Sequence, residues 1–227
     1  MSSVITIDGP AASGKSTAAR LLAQALGWHH LNSGLLYRGL AYALMEKGGY
    51  TLAMLAHPKE KDLVLYLAPA RFVYAFDDER GAIIFDGKNI TAQLKSSTID
   101  FAASTISTNA DARLVLMAVQ HELARKYNLV VDGRDSGSVV FPNAIVKFYL
   151  TAPLNVRAIR WQAMQSKRGY AIDIEQAQAQ IENRDARDMH RKLAPLIIPE
   201  GAIVIDNGEL NPLQTLDVML SNMIQGE

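Results

Sequence analysis

The sequence predicts an α/β protein: a doubly wound parallel sheet whose first strand runs into a glycine-rich turn, with two inserts that break the β-α rhythm. Short apolar runs at Val4-Ile5-Thr6-Ile7, Leu129-Val130-Val131, Ala144 to Leu150 and Ala202-Ile203-Val204-Ile205 read as strands buried on both faces. Stretches with apolar residues at helical spacing separate them. The turn after the first run, from Gly9 to Ser16, has the composition that a doubly wound sheet carries at its first βα junction.

Taken in order, the first strand meets Gly9-Pro10-Ala11-Ala12-Ser13-Gly14-Lys15-Ser16, which reads G-x-x-x-x-G-K-[ST], the P-loop pattern. Its glycines let the chain curl so that backbone N–H groups point inward at phosphates. Lys15 reaches the outer phosphates and Ser16 can ligate Mg²⁺. A helix follows over Ala18 to Leu26, and its N-terminal dipole serves the same anion site. A plain turn beside a solvated lysine lacks that strand-loop-helix context, so the pattern predicts a bound nucleoside triphosphate. Asn32-Ser33-Gly34-Leu35-Leu36-Tyr37-Arg38 opens a second helix, Ser33 to Lys47, with Ser33 a suitable N-cap and Arg38 one turn in, able to reach a second anion. Arg71 to Phe76 and Ala82 to Phe85, parted by Asp77-Asp78-Glu79-Arg80-Gly81 and followed by the turn Asp86-Gly87-Lys88-Asn89, form a small antiparallel insert. Helices are expected over Ala110 to Lys126, Leu154 to Ser166, Asp173 to Lys192 and Leu213 to Ile224. Gln165-Ser166-Lys167-Arg168-Gly169-Tyr170, basic and glycine-containing, suits a mobile lid or an ordinary interhelical loop.

Composition narrows the function. At 227 residues and 49% hydrophobic, the chain can bury a core as one domain with inserts or as one and a half domains. Cysteine is absent, which excludes disulfides and thiolate metal sites and fits a reducing cytoplasm. The five histidines show no ligand spacing. No window approaches the ~20 apolar residues of a membrane span and the N-terminus has no targeting segment, so a soluble cytoplasmic protein without a membrane partner is expected. The 23 basic and 23 acidic residues cancel, which argues against a nucleic-acid polymer as partner.

Two further clusters carry chemistry. Asp132-Gly133-Arg134-Asp135-Ser136-Gly137 follows a strand directly, at the carboxyl end where open sheets bind ligands. Two carboxylates about one arginine could hold Mg²⁺-bound water, orient an attacking oxygen and clamp a phosphate, or could form a salt-bridged turn. Arg157 and Arg160 share a face of the helix before the break. Arg184, Asp188 and Arg191 share one after it at i, i+4 and i+7. Guanidinium groups suit phosphoryl oxygens, although Arg184 and Arg191 could instead pair with Asp188 on a solvated face.

Together these pieces resemble the nucleoside monophosphate kinases, and among them the bacterial cytidylate kinases. The resemblance rests on Ile5-Thr6-Ile7-Asp8-Gly9-Pro10 and its loop, Ser33-Gly34 with Tyr37-Arg38, and the β insert. It continues through Asp132-Gly133-Arg134-Asp135 with Val139-Val140-Phe141-Pro142, and Arg184-Asp185-x-Arg187-Asp188 closing near Ala194-Pro195-Leu196. It implies a single P-loop kinase domain with core segments 1–62, 105–155 and 185–227, an acceptor-binding insert at 63–104 and a lid at 156–184. It implies a monomer that transfers the γ-phosphoryl group of MgATP to CMP or dCMP. Gly9, Pro10, Ala11, Ala12, Ser13, Gly14, Lys15, Ser16 and Thr17, with Arg157, would hold ATP, and Ser16 the Mg²⁺. Ser33, Arg38, Ser104, Arg113, Asp132, Arg134, Asp135, Arg184, Asp188 and Arg191 would bind CMP, with Lys15, Asp132, Arg134 and Arg184 in the catalytic set. Among these, Ser104, Arg113 and Asp135 would read the cytosine edge. Asn32 stands where the family commonly has an acidic residue, and Trp161 where another arginine often follows the lid arginine. Another acceptor (UMP, AMP or dTMP) or a nucleotide switch or hydrolase are the alternatives.

Overall fold

The computed structural model describes residues 2–76 and 81–224. In chain order its elements are β1 (Val4–Asp8), α1 (Lys15–Leu26), β2 (His29–Asn32), α2 (Ser33–Gly48), α3 (Glu60–Tyr66), β3 (Phe72–Phe76), β4 (Gly81–Phe85), β5 (Lys88–Asn89), α4 (Ser97–Ile106) and α5 (Ala110–Lys126). They continue with β6 (Leu129–Asp132), β7 (Val146–Thr151), α6 (Leu154–Lys167), α7 (Ile174–His190), β8 (Ile203–Asp206) and α8 (Pro212–Ile224). The expected α/β class holds. A five-stranded sheet has the order β2-β6-β1-β7-β8, and a separate three-stranded sheet has the order β3-β4-β5.

The chain forms two compact units. Ser3–His29 and the described residues from Asn128 onward make one, and Ser2 with His30–Tyr127 makes the other. In the first, β1 runs parallel to β6 and β7, with Ile5 opposite Val130 and Val146, and β7 runs parallel to β8. β1 and β6 are buried along nearly their whole length because helices cover both faces of a parallel sheet. Ile5, Ile7, Leu22, Val130, Phe148, Leu150 and Met219 form the core between sheet, α1 and α8. Burying one such side chain stabilises the fold by about 1.5–3 kcal/mol. Ala11, Ala158, Trp161, Ala177 and Ile181 form a second core that joins α6 and α7 to the glycine-rich loop.

In the second unit β3 and β4 pair antiparallel, Phe72 opposite Phe85 and Phe76 opposite Gly81, and β5 adds a two-residue edge. The polar turn expected at 77–80 lies outside the described residues. α2 lies on the small sheet through Gly39, where an added Cβ would come within 2.9 Å of the Phe72 ring on β3 and 3.1 Å of Ile83 on β4. Some boundaries differ from the expectation. α1 starts at Lys15, three residues early, because Gly14 with φ 92 caps it inside the loop. The cap of α2 is Asn32 and not Ser33: the Asn32 carboxamide oxygen accepts from the Leu35 N–H at 2.9 Å. The helix expected to run to Lys192 stops at His190, because Arg191 turns out of it with ψ 140. β7 starts at Val146, after Ala144 bonds back to Phe141 in a turn.

Candidate active site

The loop after β1 is shaped by two glycines and a strained alanine. Gly9 has φ 147 and passes so close to β7 that an added Cβ would sit 2.1 Å from the Leu150 carbonyl oxygen. Ala12 has φ 56, a left-handed conformation that costs an L-residue about 1–2 kcal/mol. Lys15 is buried, with its ammonium on the Pro10 carbonyl oxygen and 3.1 Å from Ser13 Oγ. Burial and the nearby Arg134 charge lower its pKa well below the usual lysine range, partly offset by Asp132. The Ser16 hydroxyl donates to the Asp132 carboxylate at 2.6 Å, joining the start of α1 to the end of β6. A hydroxyl beside a carboxylate is an oxygen donor set of the kind a hard divalent cation prefers.

The expected arginine–carboxylate cluster exists, and it is not the solvated helix face of the alternative. Asp188 is 6% exposed, so the α7 face is not solvated. Arg134 Nε donates to Asp188 at 2.8 Å, and Arg191 donates to Asp135 at 2.9 Å. Burial pushes the Asp188 carboxyl up, but Arg134, Arg184 and Arg191 outweigh it and hold the group below the usual range. Burial opposes the Arg134 charge, yet Asp188, Asp185 and Asp132 hold its pKa above the ordinary value. The Arg184 guanidinium lies 6.0 Å over the ring of Trp161, whose indole N–H donates to Gln180. Lys15, Ser16, Asp132, Arg134, Asp135, Arg157, Arg184, Asp188 and Arg191 thus belong to one network at the carboxyl ends of β1 and β6.

Ser33, Arg38, Ser104 and Arg113 lie in the second unit. Arg38 on α2 faces Asp100 on α4 at 3.4 Å. Arg113 on α5 lies 6.0 Å over the Tyr37 ring and donates to the Ser107 carbonyl at 3.3 Å, one turn beyond Ser104. Ser33 and Ser104 are both partly exposed. The Asn32 N–H donates to the Tyr74 hydroxyl at 2.9 Å, so Asn32 supports both the cap and the insert.

Three polar residues that sequence reasoning missed support the loop. Asp185 accepts from the Ala11 N–H at 2.8 Å and pairs with Arg157. Asn207 donates to the Ser13 carbonyl at 2.9 Å while Arg160 donates to its side-chain oxygen at 3.0 Å. Asp8 accepts from the Ser136 and Gly137 N–H groups at 2.9 and 2.7 Å. Burial raises the Asp8 pKa to about 6 against those two donors, and Asp135 adds to the rise. Asp8 and Asn207 could have been found from their places at or just past the carboxyl ends of β1 and β8. Asp185 had no local signal beyond the Arg184-Asp185 pair.

Comparison with known proteins gives the family. A Cytidylate kinase of Thermotoga sp. (strain RQ2) is 38% identical over 216 residues, covering 95% of this chain and 94% of the relative. A Cytidylate kinase of Shewanella halifaxensis is 34% identical over 224 residues, covering 98% and 95%. A crystal structure of an uncharacterized protein from Eubacterium ventriosum superposes with TM-score 0.54 over 97% of each chain at 11% identity, a likeness of fold alone. With the model of the family described as Cytidylate kinase matching residues 5–225, the chain belongs to the cytidylate kinase family.

Proposed function

We propose that this chain transfers the γ-phosphoryl group of ATP to CMP or dCMP, giving ADP and CDP or dCDP. The observation that carries it is the loop around buried Lys15, with Ser16 bonded to Asp132, in a chain of this family. A phosphate oxygen of the acceptor forms the new bond to Pγ while the bond from Pγ to the β-phosphate oxygen breaks and ADP leaves. That transfer asks for little covalent help from side chains, so catalysis is positioning and charge stabilisation. Gly9 to Thr17 and Arg157 are assigned to ATP. Arg38, Arg134 and Arg184 are assigned to the acceptor phosphate and the transferring group, and Asp188 and Arg191 to the sugar or base. Ser104, Arg113 and Asp135 are assigned to the cytosine edge, to which they can offer a hydroxyl, a donor fork and an acceptor carboxylate. Ser33, at the start of α2 near Arg38, is assigned to the acceptor as well. Ser16 and Asp132 fit Mg²⁺, which when bound would neutralise charge on the phosphate oxygens. The cytoplasm, where ATP is held, is the proposed compartment, and a monomer the proposed form.

The test is ADP formation from MgATP with CMP, dCMP, UMP, AMP, GMP and dTMP offered singly, beside a no-acceptor control and Lys15→Ala. Turnover is expected with CMP and dCMP, and none in the variant. Turnover with another monophosphate alone would overturn the assignments of Ser104, Arg113 and Asp135. Hydrolysis indifferent to every acceptor would overturn the kinase itself.

A further inference from the structure

We infer that Asp185 is a positioning residue for ATP, holding the phosphate loop in its binding shape through Arg157 and the peptides on either side of Ala11. This rests on the assignment of Gly9 to Thr17 to ATP. Asp185 is 6% exposed, and both of its oxygens are engaged: one accepts from the Ala11 N–H at 2.8 Å, the other meets the Arg157 guanidinium. The same Arg157 Nη1 donates to the Ala11 carbonyl at 3.1 Å, and its Nε donates to the Ala152 carbonyl at 3.0 Å. Ala11 is therefore held at its N–H, at its C=O and, through the apolar cluster with Ala158, Trp161 and Ile181, at its methyl group.

What makes this consequential is the next residue. Ala12 sits at φ 56, and a strained alanine persists only where its surroundings impose it. The Ala11–Ala12 peptide is the unit whose rotation would relieve that φ, and its carbonyl is the atom Arg157 grips. The direction of that peptide sets where the following N–H groups of the loop point. Asp185 holds Arg157 against this carbonyl and fixes the peptide on the other side as well, so it acts on the loop without having to touch a nucleotide.

The experiment compares wild type, Asp185→Asn, Asp185→Glu, Ala12→Gly and the double variant Asp185→Asn/Ala12→Gly, by KM for ATP and CMP, kcat and MgATP affinity by calorimetry. Asp185→Asn keeps the shape and an acceptor for Ala11 but loses the charge that holds Arg157. Weakening of ATP binding by roughly tenfold is expected, with KM for CMP changed far less. Asp185→Glu, which restores the charge, should recover part of the loss. Glycine adopts the left-handed conformation without strain, so in the Ala12→Gly background the same Asp185→Asn change should weaken ATP binding by about threefold or less. Unchanged ATP affinity in Asp185→Asn, or an equal loss in both backgrounds, overturns the positioning role. A lowered melting temperature with unaltered KM for ATP does so too, since that is what a merely structural carboxylate gives. If Asp185→Asn is insoluble, Asp185→Glu and the double variant are read against wild type and Ala12→Gly by the same criterion. Failure of the wild-type chain to bind MgATP would instead remove the functional assignment on which the inference stands.

Discussion

Asn207 offers the sharpest test of how the loop is held from beneath. Asn207 is 4% exposed, its side-chain amide N–H donates to the Ser13 carbonyl at 2.9 Å, and its side-chain oxygen accepts from Arg160 at 3.0 Å. Arg160 also donates to the Asn207 backbone carbonyl at 2.9 Å, a bond that does not depend on the Asn207 side chain. Asn207→Ala leaves the buried Ser13 carbonyl without that donor, a loss of about 1–3 kcal/mol. Arg160 is partly exposed and water can replace its lost partner, so it adds less than about 1 kcal/mol. A total near 2 kcal/mol corresponds to a melting temperature lower by about 4–8 °C in a chain of this size, or to roughly a 30-fold loss of ATP affinity if all of it falls on the loop. Asn207→Asp discriminates between the two partners. It strengthens the pair with Arg160 but turns an acceptor toward the Ser13 carbonyl and adds negative charge beneath a loop that must receive phosphates. KM for ATP and melting temperature should be measured for both variants. Aspartate is expected to bind ATP about tenfold more weakly than alanine does, since acceptor faces acceptor. ATP binding by Asn207→Asp equal to or tighter than that of Asn207→Ala would refute the reasoning, and would place the importance of Asn207 in its bond to Arg160.

Gly9→Ala should be among the most damaging single changes. Its Cβ would lie 2.1 Å from the Leu150 carbonyl oxygen, at φ 147, so β1 and β7 must part. A loss of more than about 3 kcal/mol is expected, and a melting curve within a degree of wild type would contradict it. Asp8 makes a pH signature. Its folded pKa of about 6 exceeds the ordinary 3.8, so the folded protein keeps a proton that the unfolded chain releases. Its contribution therefore favours folding more as pH falls from above 6 toward 4, and is lost as pH rises through that window. By linkage the stability gap between wild type and Asp8→Asn shifts toward wild type by about 2 kcal/mol from pH 7 to pH 4. A gap constant across that range, measured by urea unfolding, would refute this.

The fold was legible wherever the signal is local. β1 and its loop, α5 from Ala110 to Lys126 and the Asp132-Gly133-Arg134-Asp135 turn announce themselves through contiguous apolar runs, caps and glycines. α3 and α4 were not seen. α3 has only seven residues, and α4, Ser97–Ile106, is rich in Ser, Thr and Ile, which favour a helix weakly. α4 forms because Ser96 caps it and Ile99, Ala102 and Ile106 are buried, which is a tertiary cause. β2, His29–Asn32, has Leu31 as its one buried residue and so no periodicity to read. The site divides in the same way. The P-loop and the arginines stood out by residue type and spacing, but their partners did not: Asp185 lies 174 residues from Ala11, Asn207 lies 194 from Ser13, and Asp8 lies 128 from Ser136. Single carboxylates and amides gain meaning only when the sheet brings strand ends together.

The arginine–aspartate pairs also show how a chain with equal numbers of basic and acidic residues can concentrate cations at one site. Arg134, Arg157 and Arg191 are each largely buried against Asp188, Asp185 and Asp135. Desolvation offsets much of the attraction in such pairs, so their contribution to stability is small, while removing one partner strands the other. On the proposed assignment, what they provide is cations fixed in place before an anion arrives, so that little reorganisation is needed when charge develops on a phosphoryl group. Trp161 fits the same logic. The indole offers its face to Arg184 at 6.0 Å and its N–H to Gln180. A second guanidinium there would repel Arg184, whereas the aromatic face attracts it by about 0.5–2 kcal/mol. Trp161 on α6 thus helps to hold Arg184 on α7.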